Sequence, residues 1–154
     1  MYFWAVALLM FILPMLFIGV EAYFLGRSAG LLALIGKWFV FWVVGIRLFT
    51  AGLRQAIQPR FTAEDIFGIK GGEAFVIVQE LGFANLSMGT LGILTIFNQG
   101  WVLPAAILGM LFYGLAGFRH LFNRNRNALE NTAMASNLIM FALFAVYSFL
   151  SLTR

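Results

Sequence analysis

The sequence predicts an all-α, polytopic transmembrane bundle of about five spans, and two observations carry that prediction. The 154-residue chain is 62% hydrophobic and only 10% charged, with a mean hydropathy of +0.94. A soluble globular domain carries about 25% charged residues. The apolar residues also fall into five runs, each close to the roughly 20 residues that cross a bilayer. A single integral-membrane helical domain, 1–154, accounts for the length; no linker, internal repeat or low-complexity tract is visible.

The first run, 2–25, is apolar from Tyr2 onward with no basic stretch ahead of it, so it reads as an uncleaved span rather than a secretory signal peptide. Pro14 falls in its middle, where a membrane helix tolerates a kink. Gly26-Arg27-Ser28 ends it. The second run, 31–57, is long, and Lys37-Trp38 near its start places its first turn in the interface. Gln58-Pro59-Arg60 closes it. The third run, 73–97, and the fourth, 101–122, are separated by Asn98-Gln99-Gly100. The polar stretch 123–131 precedes the fifth run, 132–152. A four-span bundle with the first helix peripheral is the alternative.

In the longest loop, Thr62 followed by Asp65 reads as a cap opening a short helix, with acids at its positive end. Ile66, Phe67 and Ile69 are then expected to dip into the interface. Gly71-Gly72 supplies a flexible corner before the third span.

Five spans place the N-terminus and the second and fourth loops on one side, with Arg54, Arg60, Lys70, Arg119, Arg124 and Arg126. The other side has Arg27, Lys37 and Arg154. Six against three predicts a cytoplasmic N-terminus. The net charge of +4 is scattered over loops and helix ends, with no basic stripe interleaved with aromatics, so nucleic acid is not an expected partner. The chain has no cysteine, which excludes disulfides, thiolate metal sites and cysteine nucleophiles.

Two charged ladders lie within the spans. Arg47 and Arg54 are seven residues apart, as are Glu73 and Glu80; seven residues is close to two helical turns. An antiparallel hairpin brings Arg47 level with Glu80 and Arg54 level with Glu73. Ionisable groups at membrane depth are costly and face a partner or a cavity. The ladder is therefore either a polar pocket for a headgroup or proton, or an ion bridge fixing helix register, or arginines snorkelling to the interface.

On the third span Gly82, Asn85, Gly89 and Gly92 draw one smooth stripe. Small residues let another backbone approach, so Gly82, Gly89 and Gly92 read as helix packing, with Asn85 hydrogen-bonding across it or lining the same pocket as Glu80. His120, the one histidine, lies near the cytoplasmic end of the fourth span, level with Arg54 and Glu73. It reads as a proton-handling group near a carboxylate or as an interfacial residue bonded to the helix end. No metal site is expected, because there is no second histidine and no cysteine. Glu21, in reach of Arg27 or Lys37, reads as an interfacial pair. Most of the 18 phenylalanines read as lipid-facing or interhelical bulk, and Tyr2, Trp4, Trp38 and Trp101 as an aromatic belt.

The stretch from Arg47-Leu48-Phe49-Thr50-Ala51-Gly52-Leu53-Arg54 through Pro59, Ala63 and Ile66-Phe67-Gly68 resembles a bacterial membrane family known only as a domain of unknown function. So do Val78-Gln79-Glu80-Leu81-Gly82-Phe83-Ala84-Asn85-Leu86 and the pattern Gly114, Gly117, His120. That family is similar in layout to the DoxX-like small four-helix membrane proteins. The resemblance spans about half the chain, 47–120. It implies a compact bundle in the bacterial inner membrane and no assigned reaction. Because some DoxX-type proteins are membrane subunits of quinone-linked oxidoreductases, it also implies a quinone-facing accessory role. Glu80, Asn85 and His120 are the polar positions that carry over.

There is no Ser–His–Asp set in plausible register, no phosphate-binding loop and no pair of histidines for haem, so no resident cofactor is expected. The expectation is a small non-catalytic accessory or binding protein. It would hold a lipid or quinone-like headgroup near Arg47, Arg54, Glu73, Glu80, Asn85 and His120, or dock as a homo-oligomer or within a larger membrane complex. The alternative is a small oligomeric transporter or proton conductor using Glu80 and His120.

Overall fold

A computed structural model describes residues 2–25, 30–70, 72–123 and 126–153. The expectations placed on Arg27, Gly71, Arg124 and Arg154 lie outside the described residues. Among the described residues the regular structure is helical with no strand. Five helices are long and apolar enough to cross a membrane: α1 Tyr2–Phe24, α2 Leu31–Ile57, α3 Glu73–Leu94, α4 Gln99–Leu121 and α5 Ala128–Leu152. The chain is thus an all-α polytopic bundle.

The N-terminal end of α1 and the second and fourth loops meet at one end of the bundle. There the Tyr2 ring lies 6.3 Å from that of Phe61, and Asn127 donates to the Asp65 carbonyl at 3.0 Å. The alternating direction of five spans requires this.

The second span is central: 44% of its most apolar stretch is buried, against 17% for α1, so α1 packs at the periphery. It packs nonetheless. Val6 and Met10 enter the core with Val40, Val43, Val44, Leu48, Tyr113, Met140 and Phe144. Further along, the Phe17 ring lies 4.7 Å from Trp38 and 5.3 Å from Trp42. At that far end Lys37 Nζ lies 2.7 Å from Glu21 Oε1, and Trp38 Nε1 donates to Glu21 Oε2 at 2.5 Å.

Two spans widen locally into π-helix, at Leu8–Ile12 in α1 and Val40–Arg47 in α2. The first lies just before Pro14, whose ring would clash with the carbonyl four residues back in a regular α-helix; the wider turn makes room for it. Within the second, the Val43 carbonyl accepts a hydrogen bond from the buried Tyr113 hydroxyl at 2.7 Å, tying α4 to α2.

The α2–α3 contact is a meeting of backbones. A Cβ at Gly52 would lie 2.6 Å from the Gly82 carbonyl oxygen, and one at Gly82 would lie 2.8 Å from the Ala56 nitrogen. Those at Gly89 and Gly92 would run into the backbone of Phe49 and Gly45. Since lipid tails are as apolar as leucine, such close packing and the hydrogen bonds across it are what hold membrane helices together.

The loop helix Phe61–Ile66 starts one residue ahead of Thr62, and no side chain caps it. Thr62 is buried instead of capping, which corrects the expected Thr62–Asp65 arrangement. The turn glycine is Gly68, whose φ of +69° carries the chain out of the helix so that the Ile69 N–H reaches the Ala63 carbonyl at 2.9 Å. The last span begins at Ala128, four residues ahead of the expected 132, because Asn127 caps it by accepting from the Glu130 N–H at 2.8 Å.

Candidate functional site: a polar-ended cavity inside the bundle

A cavity of about 440 Å³ lies toward the end of the bundle that carries the second and fourth loops, and all five spans and the loop helix contribute to it. Its apolar wall includes Val6 and Leu9 of α1, Leu48 and Ala51 of α2, Leu81 of α3, and Phe112 and Ala116 of α4. The polar groups are Arg47, Arg54 and Gln55 from α2, Thr62 from the loop helix, Asn85 from α3, Tyr113 and His120 from α4 and Asn137 from α5. Thr50, Arg54 and Phe67 are exposed and form part of its rim.

Four of the six pocket residues expected from the sequence therefore share one cavity: Arg47, Arg54, Asn85 and His120. Glu73 and Glu80 do not line it. Both are exposed, and neither pairs with an arginine among the described residues. The expected ladder of ion pairs is corrected here, and helix geometry gives the reason. Two residues advance an α-helix by about 200°. Gly82 faces α2, so Glu80 faces away from it; Glu73, nine residues before Gly82, also comes out on that far side. By the same rotation Arg54 turns away from Gly52 and from α3. The glycine stripe and the acid ladder occupy opposite faces of one helix, and the stripe is the face that meets α2.

Asn85 lies within that packed seam and is 3% exposed. Its Nδ2 donates to Gln55 Oε1 at 2.7 Å, and its own Oδ1 is buried with no hydrogen-bond partner. Gln79 adds a second link by donating to the Ala56 carbonyl at 3.1 Å. Arg54 lays its guanidinium over the Phe61 ring, 3.6 Å from the centroid.

His120 is buried, with Nδ1 3.0 Å from Glu130 Oε1. The same carboxylate oxygen accepts from Asn123 Nδ2 at 2.8 Å, and the Phe67 ring stacks on the imidazole at 6.2 Å between centroids. Arg126 braces this corner by donating to the carbonyl oxygens of His120 at 3.0 Å and Leu121 at 2.9 Å. Glu130 was not among the expected site residues, although one signal pointed to it. Asn127 followed three residues later by Glu130 is the pattern that opens a helix, and it places this acid in the first turn of a span. With Glu130 fixing Nδ1, the ring nitrogen left to meet anything in the cavity is Nε2. A carboxylate-oriented imidazole of this kind can accept or pass a proton or bind a polar group.

Comparison with known protein families matches residues 4–153 to DUF6790, a family of unknown function. The chain belongs to DUF6790. No curated protein and no solved structure matches it. The match covers nearly the whole chain and takes in all five spans and the cavity lining apart from the first residues of α1, Tyr2 among them.

Proposed function

We propose that this DUF6790 chain is a non-catalytic binding or accessory protein of the bacterial inner membrane, its N-terminus cytoplasmic, that holds the headgroup of an amphipathic membrane molecule in the α1–α5 cavity. One observation carries the reading: a cavity of about 440 Å³ whose walls are apolar and whose polar groups converge from α2, α3, α4 and α5. Ligand sites have this size and composition, largely apolar with a few placed polar groups. A lipid headgroup and a quinone-like ring are the two candidate classes, the second also implied by the DoxX-like resemblance.

Docking to a second copy or to a larger membrane complex is the companion part of the reading. Glu80 supports it, because an acid exposed on the outer face of a span at membrane depth calls for a partner outside its own chain. The competing reading is a small oligomeric transporter or proton conductor. The His120–Glu130 pair favours it, with Glu80 as a titrating group on the outer face rather than in the cavity.

Native mass spectrometry of the gently extracted protein tests the binding reading. A discrete small-molecule adduct is expected on the wild type and is expected to vanish in Ala116→Phe, which fills the cavity with a ring. A wild type free of any adduct, or an adduct indifferent to that substitution, rejects it. Flux in proteoliposomes that Glu80→Gln abolishes would favour transport instead.

A further inference from the structure

We infer that the occupant of this cavity is an anionic amphiphile, its carboxylate or phosphate head met by Arg47 and Arg54 and its chain laid along the apolar wall. The inference rests on reading the cavity as a ligand site and narrows the ligand to one charge class.

There are six acids. Glu21 is taken by Lys37 and Trp38 near the opposite end of the bundle. Glu64 pairs with Arg60 at 2.7 Å, and Glu130 is held by His120 and Asn123. Glu73 and Glu80 are exposed on the far side of α3, and Asp65 is exposed in the loop. None of the six forms an ion pair with Arg47 or Arg54.

Both arginines nevertheless line the cavity, and Arg47 is half-buried two turns deeper than Arg54. A guanidinium is a cation with five N–H donors and no acceptor, so it calls for an anionic or acceptor partner. A charge left unpaired at membrane depth is costly, and no acid among the described residues pairs with Arg47. Arg54 holds its guanidinium carbon 3.6 Å from the Phe61 ring centroid, a cation–π contact that uses none of its N–H donors on a carboxylate. Carboxylate and phosphate oxygens fit such a fork with two parallel hydrogen bonds. A neutral quinone ring leaves both positive charges uncompensated. The remaining wall of the cavity, with Val6, Leu9, Leu48 and Phe112, offers hydrocarbon contact rather than further hydrogen bonds.

The test is a binding titration of the detergent-purified full chain with three probes: oleic acid, dioleoylphosphatidylglycerol and the neutral decylubiquinone. Wild type is expected to bind at least one of the two anions in preference to the quinone, and which anion binds identifies free fatty acid or phospholipid as the source. Arg47→Gln and Arg54→Gln are each expected to weaken that anion by roughly ten- to a hundredfold, the value of a hydrogen bond to a charged group. Arg47→Lys is expected to keep part of the affinity. Arg119→Gln removes an exposed cation at the same end that does not line the cavity, and is expected to change nothing. Thermal melting establishes that each variant is folded, and Arg54→Gln, on the exposed rim, carries the test if Arg47→Gln does not fold. Quinone binding that equals or exceeds both anions and ignores the arginines overturns the inference while leaving the cavity a ligand site. Binding of none of the three overturns the inference and, if the extracted protein also carries no adduct, the binding reading with it.

Discussion

His120 and Glu130 face each other across the turn that joins the last two spans, Nδ1 to Oε1 at 3.0 Å, with both side chains largely out of solvent. The contact closes one end of the α4–α5 hairpin and aims an imidazole at the cavity. A buried pair of this kind is coupled: removing either partner strands the other. A double-mutant cycle of His120→Ala and Glu130→Ala, read by unfolding in detergent, is expected to give a coupling of about 1–3 kcal/mol. Additive effects would mean that the two groups do not interact.

The α2–α3 seam tolerates no added methyl. Gly89→Ala and Gly92→Ala each drive a Cβ into backbone that has no free end to move aside. Each is expected to lose about 1–3 kcal/mol despite the better helix propensity of alanine. Gly19 has nothing within 4 Å of where its Cβ would stand, so Gly19→Ala serves as the contrast and is expected to stay within about 0.5 kcal/mol of wild type. Equal melting temperatures for all three would refute the packing account.

Arg47 and Glu80 point in different directions, so their substitutions are expected to be independent. The cycle of Arg47→Ala with Glu80→Ala should close to within about 0.5 kcal/mol. A large favourable coupling would restore the ion bridge that the orientation of α3 rules out.

Tyr113→Phe removes the hydroxyl that serves the Val43 carbonyl inside the π-helical part of α2. A buried carbonyl left without its donor is expected to cost about 1–3 kcal/mol. Tyr147→Phe, whose hydroxyl makes no backbone hydrogen bond among the described residues, provides the reference, and matched losses in the two variants would contradict this role for Tyr113.

The site was legible in part. Arg47, Arg54, Asn85 and His120 stand out because polar residues are rare in apolar runs, and all four line the cavity. Glu73 and Glu80 stand out for the same reason, yet rarity alone does not say which way a side chain points. The glycines held that information: two residues from Gly82 is more than half a turn, so Glu80 could not share its face. Glu130 escaped because it follows a polar loop and looked like part of it; the Asn127 cap makes it the first turn of a span.

What the sequence determined by itself is the number of the spans, because length and hydropathy alone decide whether a helix can cross a bilayer; their ends shifted by a few residues where caps such as Asn127 set them. It also determined the packing stripe of α3, since only small residues allow backbones to touch. What the tertiary structure decided is which charges meet. The partner of a side chain depends on the rotation of each helix about its axis, and that rotation is set by backbone contact between glycines rather than by attraction between charges at the same depth.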